Sequence, residues 1–149
     1  MFNKSIEIPV GSDHAGFKMK QFLLDHLTIL GYKLVDFGTY SEESVDYPDF
    51  IHPVAKSIND SIYPFGIIIC GSGQGAAMTA NKYPNVRAGL AWELEQVRLI
   101  RLHNNANIIA LPGRFIAFDM AVKMVEEFLH AEFEGGRHIQ RINKIPVVF

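Results

Sequence analysis

The chain has 149 residues, 48% hydrophobic and 20% charged, with a formal net charge of −2. This composition predicts one globular domain over residues 1–149 and excludes the basic excess that nucleic-acid or membrane surfaces favour. A single cysteine cannot close an internal disulfide, and M-F-N-K-S-I-E-I-P-V lacks the apolar run of a signal peptide or membrane span, so a cytoplasmic location is expected.

Ile6 to Val10 reads as a first strand ended by Gly11, with Pro9 an awkward residue for a central strand. Ser12 or Asp13 is an N-cap candidate for a helix carrying Phe17, Phe22, Leu23, Leu27 and Leu30, with Gly31 as its stop. Tyr32 to Phe37 is the second strand, closed by Gly38. Ser41 to Pro48 is turn-like, and Pro48 suits the first turn of a helix presenting Ile51, Val54, Ala55 and Ile58.

Phe65 to Asn81 organises the rest. Its apolar run ends in three isoleucines, as in a parallel strand covered on both faces. Cys70 follows, then Gly71, Ser72, Gly73 and Gly75, a loop whose backbone can approach a ligand closely. Ala76, Ala77, Met78 and Ala80 open a helix.

Val86 to Ala91 is the fourth strand, and Glu93 to His103 has helical spacing. The run H-N-N-A-N breaks that helix before a fifth strand, Ile108 to Leu111. Phe115 to Phe133 reads as a long helix stopped by Glu134-Gly135-Gly136, and Arg137 to Asn143 as a short one before the apolar tail. Strands alternating with helices predict an α/β protein: a Rossmann-like three-layer α/β/α sandwich around a five-stranded parallel sheet.

In such sheets ligands bind outside the carboxyl ends of the strands, where Cys70, Asp13 and His14 are expected. Loop amides and a helix N-terminus would stabilise a Cys70 thiolate, although a free cysteine is also a common packing residue. His103 and Asn104 end a helix; imidazole is the commonest proton carrier near neutrality, and a histidine there also complements the helix terminus. Arg137 and Arg141, four apart, share one face of a helix and can clamp a phosphate, with Arg114 as a third cation; a solvated face is the plainer alternative. His26, His52, His130 and His138 read as helix-surface residues. G-S-G-Q-G-A also fits a dinucleotide fingerprint with Glu93 downstream, but a full βαβ unit precedes it. There is no Walker lysine, and no Cys/His spacing that marks a metal site.

Taken in order, G-S-D-H-A-G-F-K-M-K at Gly11, D-Y-P at Asp46, I-C-G-S-G-Q-G at Ile69, A-N-K at Ala80, R-L-H-N-N-A-N at Arg101 and E-G-G-R-H-I-Q-R at Glu134 resemble the type B ribose-5-phosphate isomerases. Allose- and galactose-6-phosphate isomerases belong to the same wider family. The resemblance implies aldose–ketose isomerisation of a sugar phosphate with no metal or organic cofactor. It also implies a homodimer, extendable to a tetramer, whose active site takes residues from both subunits.

By position, Cys70 resembles the base that moves a proton between carbons 1 and 2, and His103 the residue that opens the sugar ring. Asp13, His14, Gly71, Ser72, Gly73, Gly75, Asn104, Arg114, Arg137 and Arg141 fall on substrate-binding positions. Ribose 5-phosphate and ribulose 5-phosphate are the expected pair. A six-carbon sugar phosphate such as allose 6-phosphate, or a non-catalytic phosphosugar or dinucleotide-binding module, are the alternatives.

Overall fold

The computed structural model describes residues 1–149. Eleven elements follow in order: β1 (Glu7–Ser12), α1 (Phe17–Ile29), β2 (Lys33–Asp36), α2 (Tyr47–Asn59), β3 (Gly66–Cys70), α3 (Gln74–Ala80), β4 (Ala88–Leu90), α4 (Leu94–Leu102), β5 (Ile108–Pro112), α5 (Phe118–His130) and α6 (Arg137–Ile142). The sheet order is β2-β1-β3-β5-β4, with every pairing parallel. None of the helices is long and apolar enough to cross a membrane.

The period-two alternation of the strands divides their side chains between two cores. Ile67 and Ile69 of β3 join Ile109 and Leu111 of β5, and pack with residues of α1, α4 and α5. Ile68, Cys70, Ile108 and Ala110 face the other way, against α2 and α3. Both faces are therefore covered, as the unbroken apolar runs of β3 and β5 require. Helix layers on both sides of the sheet make the predicted three-layer sandwich.

Boundaries differ from the expectation in instructive places. β1 runs on to Ser12, because Ser12 N–H donates to Gly38 O at 2.7 Å and Thr39 N–H to Ser12 O at 2.7 Å. Asp13 does not cap a helix directly: its carboxylate accepts from Gly16 N–H at 3.0 Å, closing a turn, and α1 begins at Phe17. Pro9 is tolerated because pairing of β1 with β3 starts only at Val10. Gly31 ends α1 as expected, with φ of 92°, Gly31 N–H bonding Thr28 O and Tyr32 N–H bonding Leu27 O, a Schellman ending. α5 is shorter than its periodicity: Phe115 to Ala117 stay in the turn after β5, and Ala131 is extended, leading the chain into Glu134.

Candidate active site

One group of candidate residues lies at the carboxyl edge of the sheet, over β1, β3 and β5. Strand order reverses between β1 and β3, and in open α/β sheets that switch point opens the ligand crevice. Asp13 N–H donates to Ile69 O at 3.3 Å, joining the end of β1 to the end of β3. Gly113 N–H donates to Cys70 O at 2.9 Å and Arg114 N–H to Gly71 O at 3.0 Å, which fixes the end of β5 against the cysteine loop. A Cβ on Gly71 would stand 3.4 Å from Arg114 Nη1, so the guanidinium lies along the loop. Asp13, His14, Cys70, the loop to Gly75 and Arg114 thus share the carboxyl edge of the sheet. Cys70 is buried and closes β3 on the α2/α3 side.

The loop needs its glycines. Gly73 has φ of 75°, a left-handed conformation, and a Cβ there would come 2.5 Å from Leu90 Cδ1. A Cβ on Gly75 would stand 2.5 to 2.9 Å from ring atoms of Tyr47, whose ring therefore covers the loop. Tyr47 was legible only as part of D-Y-P, with no role attached. His14 is held by residue 45: Val45 N–H donates to Nδ1 at 3.1 Å, and Val45 O lies 3.2 Å from the same nitrogen. The backbone of one residue can therefore serve Nδ1 as an acceptor or as a donor.

The second group lies at the opposite edge. His103 caps the C-terminus of α4, and α4 runs back from the carboxyl edge to the amino edge before β5 begins. Asn107 O accepts from Gly66 N–H at 3.0 Å, so the turn containing His103 and Asn104 is moored at the start of β3. Cys70 ends that strand, about 13 Å away at roughly 3.3 Å of rise per residue. Arg137 and Arg141 belong with His103: their helix α6 is joined to α4 through Glu134 N–H, which donates to Leu102 O at 3.1 Å. Within one chain the fold therefore gathers Asp13, His14, Cys70, the loop and Arg114 at one edge. It places His103, Asn104, Arg137 and Arg141 at the other, so Arg114 does not join the other two arginines.

Two residues at the amino edge escaped the sequence reading. His138 is not a surface histidine: it is 7% exposed and stacks on His103, with ring centroids 4.4 Å apart and planes inclined by 16°. The Glu134 carboxylate lies 3.4 Å from His138 Nε2 and 3.8 Å from His103 Nε2. Arg101 is the other, and it is buried. Its guanidinium donates to Ala106 O at 2.6 Å, Asn105 Oδ1 at 3.2 Å and Ala131 O at 3.3 Å, and lies over the rings of Phe65 and Phe128. Burial, and then the charge of Arg87, push the Arg101 pKa down from its ordinary value.

Arg101 ties the turn after α4 to the chain after α5, so it sets where His103 and Glu134 meet. Arg101→Met should cost about 3 kcal/mol, because it strands buried carbonyl acceptors. Urea unfolding reads this as a lower midpoint at unchanged slope. Arg101→Lys should recover only part of it, since an ammonium cannot reach three acceptors as a planar fork does. A loss in the methionine variant below about 0.5 kcal/mol, the scale of ordinary surface changes, would refute the tie.

The family model described as Ribose/Galactose Isomerase matches residues 8–145. Ribose-5-phosphate isomerase B of Escherichia coli is 37% identical over 142 residues, covering 95% of this chain and 95% of that protein. A ribose 5-phosphate isomerase structure from Thermotoga maritima superposes with a TM-score of 0.92 at 46% identity, over 95% of this chain and 97% of the other. Ribose-5-phosphate isomerase B of Mycoplasma genitalium, solved with bound ribulose-5-phosphate, gives a TM-score of 0.90 at 41% identity, over 96% and 95% of the two chains. With motif order, sheet topology and near-complete coverage in agreement, this chain belongs to the ribose/galactose isomerase family.

Proposed function

We propose that the chain interconverts D-ribose 5-phosphate and D-ribulose 5-phosphate, with Cys70 as the base and the work shared between two copies. The observation that carries this reading is Cys70 at the β1/β3 switch point, bordered by Asp13, His14, Arg114 and a glycine loop. The ribulose-5-phosphate-bound relative from Mycoplasma genitalium supports the choice of substrate.

The chemistry follows from the residue types. The furanose ring opens first, and His103 moves the proton between the hydroxyl and the ring oxygen. Cys70, as thiolate, then takes the proton from carbon 2 of the aldose, leaving an enediolate. The loop amides from Gly71 to Gly75 are fixed donors for its oxygens and need no reorganisation as charge develops. The protonated thiol returns the proton to carbon 1, while the proton of the carbon 2 hydroxyl passes to the oxyanion on carbon 1, leaving a hydroxyl there and the ketone at carbon 2. The phosphate does not react; its grip by Arg137 and Arg141 supplies remote binding energy that orients the sugar.

A second copy is needed because His103, Asn104, Arg137 and Arg141 lie at the edge away from Cys70 on the same chain. A two-fold pairing that sets the amino edge of one chain against the carboxyl edge of the other closes two equivalent sites.

The test is an NMR time course of ribose 5-phosphate with the purified protein in deuterated water, with chelator present. Ribulose 5-phosphate should accumulate, carrying deuterium at carbon 1. Turnover of allose 6-phosphate alone would move the reading to six-carbon substrates. A folded protein that turns over neither would be a binding module.

A further inference from the structure

We infer that His103, Glu134 and His138 form a site for a divalent transition-metal ion, which would act as an inhibitor and takes no part in the reaction. The three ligand atoms, two imidazole nitrogens and one carboxylate oxygen, all lie within 4.8 Å of one another. An N2O donor set suits zinc, nickel, cobalt or copper, whereas magnesium and calcium favour oxygen ligands alone. Zinc bound by such atoms at about 2.0–2.2 Å sets its ligand atoms roughly 3.3 Å apart. Glu134 Oε2 is already 3.4 Å from His138 Nε2 and 3.8 Å from His103 Nε2.

Both Nε2 atoms lie near the same carboxylate oxygen, although the stacked rings hold their lone pairs in nearly parallel planes. His138 is the fixed ligand, 9% exposed at its side chain; His103 and Glu134 are 38% and 50% exposed in the single chain, and in the paired arrangement proposed above they face the shared site that substrate must also reach. Glu134 stands just before Gly135 and Gly136, both at positive φ, in the short connection to α6. To share one ion, the His103 ring must turn out of the stack so that its in-plane lone pair converges with that of His138, and the ligand atoms must close from separations of up to 4.8 Å. The carboxylate also offsets the ion's charge beside Arg137 and Arg141, and the fourth position stays open to water or an anion.

Binding stands independently of the isomerase reading; inhibition rests on it, because the ion would occupy the His103 nitrogen that moves the ring-opening proton. The test titrates the full chain with Co2+ and follows the visible d–d absorption of a low-symmetry site. One ion per chain is expected, with bands unchanged in Cys70→Ser. Affinity should fall at least about tenfold in Glu134→Gln and in His138→Gln, since outer-shell partners alone are worth roughly 10–100-fold. Glu134 is half-exposed, so its variant keeps the test decisive even where loss of the buried His138 impairs folding.

A thiolate charge-transfer band that disappears in Cys70→Ser, together with the d–d bands, would overturn the site. So would unchanged affinity in Glu134→Gln, or absorption no different from aqueous Co2+. Zn2+ should slow ribose 5-phosphate turnover, chelator should restore it, and Mg2+ should do neither. Stoichiometric Co2+ on these ligands with undiminished turnover would uphold the site and remove His103 from the isomerase mechanism.

Discussion

Mixing two inactive variants, Cys70→Ser and His103→Asn, should restore roughly a quarter of wild-type turnover once their subunits exchange freely, because half the dimers are then mixed and each holds one intact site of two. Each parent alone has every site broken. In a mixed dimer, the chain carrying His103→Asn contributes an intact Cys70, and the chain carrying Cys70→Ser contributes an intact His103. Only the positions of the two residues matter: Cys70 ends β3, whereas the turn after His103 is anchored to the start of β3 through Gly66 and Asn107. Coexpression with two different affinity tags would isolate the mixed species, which should show about half of wild-type turnover by the same count. Pure mixed dimers without activity would refute a shared site.

Cys70→Ser should by itself lower turnover by roughly 10²–10⁴, the range a positioned proton-transfer base contributes. The substitution keeps the shape of the side chain but exchanges a thiol for a hydroxyl, which forms an anion far less readily. Binding of a non-reacting phosphosugar should change little, since the proposed site assigns the phosphate grip to Arg137 and Arg141. Calorimetric titration with such an analogue and a steady-state assay separate the two effects. Cys70 is buried in the apolar cluster with Ile68 and Ala76, so a serine hydroxyl there also needs a partner. Cys70→Ala, which leaves no unpaired hydroxyl, should match the serine variant in activity. Turnover near wild type in either variant, with folding intact, would remove Cys70 as the base.

Much of this was legible because local chemistry and global fold agree. The isoleucine run before Cys70 cannot be exposed, and the glycines after it have specific reasons: φ of 75° at Gly73 and the Tyr47 ring over Gly75. Gly31 marked the end of α1 for the same kind of reason. The misplacements were also local. Asp13 looked like a helix cap because a short polar side chain before a helix usually is one. It spends its carboxylate on the Gly16 turn instead, which leaves His14 outside α1 and close to Val45. Helical periodicity extended α5 at both ends, because hydrophobic spacing does not reveal that Ala131 O is needed by Arg101.

Read alone, the sequence determined the three-layer architecture, the cysteine loop at a strand's carboxyl end and the pair of arginines one helical turn apart. These depend on short-range rules: alternation, helical period and backbone freedom. Only the tertiary structure decided how the candidates divide. It put Cys70 and His103 at opposite edges of the sheet, and it buried His138 against His103 with Glu134 beside both. No spacing rule could show this, because residues 103 and 138 meet only after α4, β5, α5 and the Arg101 tie have folded around them.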